Sequence, residues 1–428
     1  MNCPACGNES SENVRFCRGC AVSLNDSIAS DGGPAQDNSI RYHGLDAMRG
    51  IAMLLGIVLH AALPYVPDVE VFWPTDERSS QLINTIFQFI HIWRMPLFFI
   101  LSGFFANLII TRKSWKSWWG NRFLRIGLPI IVFSPLMSLT MPWIFKYGET
   151  REFIFFYSDE GQPFHLWFLW HLIIFAIFTA IFRLFYLLGV GSLNSLSRIG
   201  LGFIGSTLQQ SRSILSGILF RPRFPIMFII VCCVINLPTA GELIVNPIAG
   251  GLYFAIGYSL YGNAPLFTFL KSHWKYYFLV GIVGFTLYMI LESKNDVTDM
   301  YSTDLTGEEN LRAILEPFAA AVVSLKIICA VLFSYAFIGL SENRFGSYNA
   351  KLRFISDGAY WMYLIHLPIA TLITFLMFNL HIPIEIKFLI AIAVTSIICL
   401  GTYKSFVRST LIGILLNGKR HPFKVAGL

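Results

Sequence analysis

The sequence predicts an all-α polytopic membrane protein of about ten transmembrane helices, preceded by a small zinc ribbon. Three observations carry that prediction. Of the 428 residues, 55% are hydrophobic and only 13% charged, against about 25% charged in an average soluble domain. The apolar residues fall in runs close to the ~20 residues that a helix needs to cross a bilayer. The first stretch, MNCPACGNESSENVRFCRGC, is polar and holds two CxxC pairs. The net charge of +7 comes with no RNA or DNA motif, so no nucleic-acid partner is expected. What matters in a membrane protein is the side of the bilayer on which the charges fall.

Taken in order, residues 1–22 read as the zinc ribbon. Cys3, Cys6, Cys17 and Cys20 have the spacing that closes four thiolates around one tetrahedral ion. With every position filled by protein, the zinc is expected to be structural. Disulfide pairing is the alternative, disfavoured by a reducing compartment. Residues 23–40 are small and polar and read as a flexible linker. No apolar signal-peptide core precedes them. The membrane domain is expected over 41–418 and a cytoplasmic tail over 419–428.

Ten spans are expected near 45–64, 81–110, 125–145, 164–188, 224–239, 246–262, 276–292, 312–340, 355–379 and 385–403, the fifth and sixth being short. On that count one set of loops and the C-terminal tail hold 19 Lys and Arg, and the opposite loops five. The positive-inside rule makes the first set cytoplasmic, with both termini, and places the chain in the inner membrane. No internal repeat is visible, which argues against a secondary transporter.

The first span, GLDAMRGIAMLLGIVLH, carries Asp46, Arg49 and His60. Ionisable groups at such depth are rare and usually functional. Eleven residues separate Arg49 from His60, close to three turns, so they share one face about 16 Å apart along the axis. Asp46 and Arg49 also fit a structural ion pair at i, i+3. The second span adds His91 and Arg94 just before Pro96, the fourth adds His171, and the ninth adds His366. His165 stands beside Trp167 and Trp170, where an aromatic belt explains it equally well. Glu316 and Lys326 are secondary candidates with no motif behind them.

Arg49-x10-His60 within LDAMRGIAMLLGIVLH, then MPLFFILSGFFA, NRFLRIGLP, HLWFLWHL and YWMYLIHLPI in that order, resemble the integral-membrane acyltransferase family 3. The resemblance covers about residues 41–418, leaving out the ribbon and linker. Through SFVRSTLIGILLNGKR it extends to the glucans-biosynthesis subgroup. It implies transfer of an acyl group from cytoplasmic acyl-CoA to a hydroxyl, usually of a carbohydrate, at the outer face. The subgroup points to succinyl transfer to periplasmic glucans. It also implies that Arg49 and His60 are essential and that Arg122 and Arg125, an Arg-x-x-Arg pair, handle the donor.

The residues fit that chemistry. Acyl-CoA carries phosphates on a long thin arm, so a site needs cations at its wide end and a proton acceptor at the thioester. Arg112, Lys113, Lys116, Arg122 and Arg125, interleaved with tryptophans, form the most basic membrane-proximal loop. That loop also anchors the helix to headgroups. His60 is expected as the base, Arg49 and Asp46 completing a catalytic set with it, and His91, Arg94, His171 and His366 as a secondary polar cluster. A polytopic transporter or exporter is the alternative, because a polar midplane seam suits it equally.

Overall fold

The computed structural model describes residues 42–70, 72–112, 115–155, 164–198, 210, 225–293 and 317–417. The zinc ribbon with its four cysteines, the linker, Lys113, Glu316 and the tail lie outside the described residues. The helices are α1 (His43–Ala62), α2 (Gln81–Arg112), α3 (Trp115–Arg122), α4 (Leu128–Thr150), α5 (Trp167–Arg198), α6 (Ile226–Asn236), α7 (Pro247–Tyr261), α8 (Ala264–Glu292), α9 (Pro317–Arg344), α10 (Ala350–Leu376), α11 (Ile384–Thr402) and α12 (Leu411–Asn417). Among the described residues there is no strand. Eight helical stretches are long and apolar enough to cross a membrane: α1, α3 and α4 as one, α2, α5, α8, α9, α10 and α11. The chain is thus an all-α, multi-pass membrane protein.

Burial separates inner helices from outer ones. In α1 and α9, 67% of the central window is buried, against 22% in α8 and 33% in α4, α5 and α11. α1 touches α2, α9, α10 and α11, so whatever it carries faces protein or a cavity rather than lipid. Asparagine caps start the helices that follow tight turns. Asn246 accepts from the Ala249 N–H, Asn263 from Leu266 and Asn349 from Lys351 and Leu352, satisfying amides that no carbonyl inside the helix can reach.

α6 and α7 differ from the expected spans. At 1.5 Å per residue their 11 and 15 residues reach about 16 and 22 Å, short of the ~30 Å hydrocarbon core. The turn between them carries Glu242, whose carboxylate meets Lys326 Nζ on α9 at 2.6 Å. Lys326 lies nine residues in from Pro317, about 14 Å along the helix. α7 then runs along the inner half of α2, with Tyr258 O accepting from Asn107 Nδ2 at 2.7 Å. The two helices form a short hairpin whose turn packs against α9 at Lys326, and among the described residues eight helices, not ten, are long and apolar enough to cross a membrane. The correction leaves the parity of the chain unchanged. Glycines make the fit: a Cβ on Gly257 would lie 1.8 Å from Ile100 O, and one on Gly103 2.0 Å from Phe254 O. Close backbone approach through small residues is how helices associate where no water drives them together.

At the other face, the loop after α1 is fastened to α11. Lys387, 1% exposed, donates to Asp76 Oδ2 at 2.6 Å and to the Phe378 carbonyl at 3.0 Å. Arg78 Nη2 reaches the Ile382 carbonyl at 2.8 Å. Breaking a buried pair strands the remaining charge, so Lys387→Met is expected to cost about 3–5 kcal/mol. The double change Lys387→Met with Asp76→Leu is expected to recover most of that loss. Thermal unfolding in lipid nanodiscs measures both, and additive losses would contradict the assignment.

Candidate active site

A cavity of about 860 Å³ lies in the half of the bundle toward the C-terminal end of α1. It runs from Lys146 and Glu149, near the C-terminal end of α4, to Met53 on α1, and Trp73 of the loop between α1 and α2 lies on its wall. Its wall includes His60, His91, Arg94, His165, Tyr363 and His366. The rings of His60 and His366 have centroids 5.2 Å apart, and those of His366 and His165 5.1 Å apart. Trp73 stacks on His60 at 6.3 Å with 23° between planes.

Tyr363 on α10 fixes two of these rings. Its carbonyl accepts from His165 Nε2 at 2.8 Å and from His366 Nδ1 at 2.9 Å, the latter shared with the Met362 carbonyl at 3.0 Å. Its hydroxyl donates to the His165 carbonyl at 2.6 Å. A carbonyl only accepts, so His366 carries its proton on Nδ1 and His165 on Nε2. The opposite nitrogens, His366 Nε2 and His165 Nδ1, are buried without a partner among the described residues, as is His60 Nδ1. On a neutral ring, His366 Nε2 and His165 Nδ1 are therefore bare acceptors. Pro368 loosens α10 one turn above by withholding an amide. Phe164, just before His165, has φ 40°, a left-handed conformation that strains a bulky residue and is common at functional sites.

Arg94 lies against Gly56 of α1. A Cβ there would meet Arg94 Nη1 at 2.2 Å and His366 Nε2 at 3.6 Å. Across the cavity stand Glu242 and Lys326 of the hairpin contact, with His91 close by. Glu292 lies behind them and accepts from Tyr288 at 2.8 Å and Gln88 at 3.2 Å.

The cations toward the opposite end form a second group. Arg49 lies over Phe105, Arg122 over Trp118 and Arg183 over Trp115. Arg125 sits in a π-helical turn, Phe123–Gly127, a distortion that often marks functional positions. Tyr360, with its hydroxyl buried and unpartnered, is an electrostatic neighbour of both Arg122 and Arg125, and Arg49 of Arg125. Arg112 ends α2 at this same face. Asp46 is held by Arg353 at 3.0 Å and by Arg49 at 3.4 Å, and Arg353 also pairs with Asp357.

Residues 42–404 match the acyltransferase domain family, Acyl_transf_3. The chain belongs to this acyltransferase family. It is 35% identical to glucans biosynthesis protein C of Escherichia coli K12 over 119 residues, covering 28% of this chain and 29% of that protein. The same protein of Shigella dysenteriae serotype 1 is 35% identical over 122 residues, 28% of this chain and 30% of the relative. The chain thus matches under a third of the length of these relatives. No solved structure matches it.

Within this acyltransferase the structure brings His60, His91, Arg94 and His366 to one cavity. It does not bring Asp46 there: fourteen residues, about 21 Å of helix, separate it from His60. His171 packs among Phe99, Trp167 and Phe175 instead. Sequence reasoning undervalued His165, which it shared with an aromatic belt, and missed Tyr363, Glu242 and Arg353. Tyr363 has a signal, lying three residues before His366 on one helix face. Glu242 has none, since only the hairpin brings it to Lys326. Tyr363→Phe leaves the His165 carbonyl without its donor and is expected to lower stability by about 1–3 kcal/mol. Thermal unfolding reads this, and an unchanged midpoint would show that the clamp holds nothing.

Proposed function

We propose that this chain is a membrane O-acyltransferase that moves an acyl group from a cytoplasmic acyl-CoA to a hydroxyl of a carbohydrate at the outer face. The observation that carries the reading is the pairing of two sites along α1. Four imidazoles and a guanidinium share a cavity toward the outer face, and an arginine cluster lies toward the other end, with Arg49 about 16 Å below His60. Met53, which lines the inner end of the cavity, is one turn above Arg49. A pantetheine arm has the length for that drop, with its phosphates at Arg49, Arg122, Arg125 and Arg112. The protein would sit in the inner membrane with both termini cytoplasmic, the face that the basic loops favour. The four N-terminal cysteines would hold a structural zinc there.

In the transfer, the acceptor oxygen attacks the thioester carbon while His60, neutral at rest, takes the hydroxyl proton. The new C–O bond forms, the C–S bond breaks, and the leaving sulfur recovers the proton as the free thiol. The relatives are named for glucan biosynthesis, so a glucan is the acceptor to try first and a succinyl group the first acyl.

The test is transfer from labelled acyl-CoAs by purified protein in lipid, with His60→Ala and Arg125→Ala beside wild type. His60→Ala is expected to lower kcat by about 10²–10⁴-fold, the usual contribution of a positioned base. Arg125→Ala is expected to raise the donor KM and leave kcat less affected. Full turnover in a folded His60→Ala protein would sink the base assignment. A wild type that binds no acyl-CoA at all would move a transport function ahead.

A further inference from the structure

Arg94 stands thirteen residues into α2, about 20 Å from its outer end, where an arginine is expensive. Such a charge is normally paired. Here both carboxylates on the cavity wall are engaged elsewhere, Glu242 with Lys326 and Glu149 with Lys146, and so are Asp76, with Lys387, and Glu292, with Tyr288 and Gln88. Among the described residues Arg94 makes no ion pair, and its Nε is buried without a hydrogen-bond partner. Its immediate polar company is His366, on α10. Among the described residues, therefore, no carboxylate neutralises the positive charge that Arg94 brings to the cavity.

The geometry says where a neutralising charge would go. Arg94 Nη1 and His366 Nε2 flank the same missing side chain, that of Gly56, and the two distances to that point, 2.2 and 3.6 Å, put the atoms within about 6 Å of each other. His60 is one turn further up the same helix. A carbonyl placed here has a guanidinium on one side and imidazole nitrogens on the other.

We infer that Arg94 is the oxyanion site of the transfer: its guanidinium holds the acyl carbonyl oxygen as that oxygen becomes negative. The inference rests on the acyl-transfer reading. As the acceptor oxygen bonds to the carbonyl carbon, the C=O π pair moves onto the carbonyl oxygen beside Arg94, and the hydroxyl proton goes to the imidazole. When the C=O bond re-forms, the C–S bond breaks and the pair leaves on sulfur, which then takes up that proton. Arg94 gains a counter-charge only between these two events, so its interaction is strongest in the transition state, which is the condition for raising kcat rather than affinity. Gly56 is glycine because any side chain there would displace the guanidinium.

The experiment compares wild type, Arg94→Gln, Arg94→Lys and Gly56→Ala, each in lipid nanodiscs and each checked for folding by thermal unfolding. Two donors are used, acetyl-CoA and succinyl-CoA, with kcat, KM and equilibrium donor binding measured for both. Arg94→Gln is expected to lower kcat by about 10²–10³-fold with either donor, the usual loss for one oxyanion donor, while donor Kd stays within threefold. Arg94→Lys, which keeps the charge, is expected to recover at least tenfold of that loss, and serves in its own right if Arg94→Gln does not fold. Gly56→Ala is expected to lower kcat in the same donor-independent way. Unchanged kcat in Arg94→Gln overturns the inference and leaves the acyl-transfer reading standing. A loss confined to the KM of succinyl-CoA also overturns it, assigning Arg94 to the distal carboxylate of the acyl group. A wild type inert toward both donors and toward longer acyl-CoAs overturns the transfer reading, and the inference falls with it.

Discussion

At mid-depth in a bilayer no water is available to a broken helix, so every backbone group there has to be satisfied by protein or face a wet cavity. The turn between α6 and α7 meets that requirement almost wholly from within. Ala240, Gly241 and Glu242 donate to the carbonyls of Leu237, Asn236 and Thr239. Asn246 donates to Ile235 O and Thr239 Oγ1 and accepts from Ala249. Ala240 and Gly241 both take positive φ, 48° and 77°, which reverses the chain within a few residues. The Glu242 side chain at this turn meets Lys326, and the cavity gains a polar wall. The other irregular stretch at the cavity, Phe164–Leu166, is held by the reciprocal hydrogen bonds of His165 and Tyr363.

Charge is distributed by the same logic. Toward the Arg49 end, acids and bases interlock: Asp46, Arg49, Arg353 and Asp357 tie α1 to α10, and Ser356 Oγ closes on the Asp46 carbonyl at 2.5 Å. That lattice sets the height of α1 against α10, and so the approach of His60 to His366 one to two turns above Gly56. An error of one residue in the pairing would carry the rings about 1.5 Å apart along the axis and rotate them by 100°. The cavity end has the opposite character. His165 and His366 are held there by carbonyls rather than carboxylates, which leaves the second nitrogen of each ring without a partner among the described residues.

The fold was largely legible because membrane helices announce themselves by length and composition, and the alternation of basic loops supported an even count. The hairpin was not, since a run of 14 apolar residues reads like a short span whether or not it crosses. The distinction lay in the Glu242–Lys326 contact, a pairing 84 residues apart in sequence. In the site, Arg49 and His60 shared a face by simple helical arithmetic. His165 and His171 were harder to separate: six residues apart, they lie at either side of a 3-10 to α transition that periodicity cannot foresee, and only the first turns into the cavity. Asp46 looked like a member of the His60 seam because a helical wheel shows angle and not depth. Its partner, Arg353, comes from 307 residues away.

The asymmetry of access follows from which residues close each end. Inward, the cavity narrows at Met53, an unbranched and adaptable side chain, flanked by Gly50 and Gly56 on the same helix. The turn of α1 between Arg49 and Met53, made of Gly50, Ile51 and Ala52, is wholly apolar. Outward, Trp73 on the fastened loop covers His60 but the wall opens past Lys146 and Glu149, which pair with each other at 3.3 Å. The imidazoles and the Arg94 guanidinium therefore lie between an apolar step on the Arg49 side and a polar rim at Lys146 and Glu149.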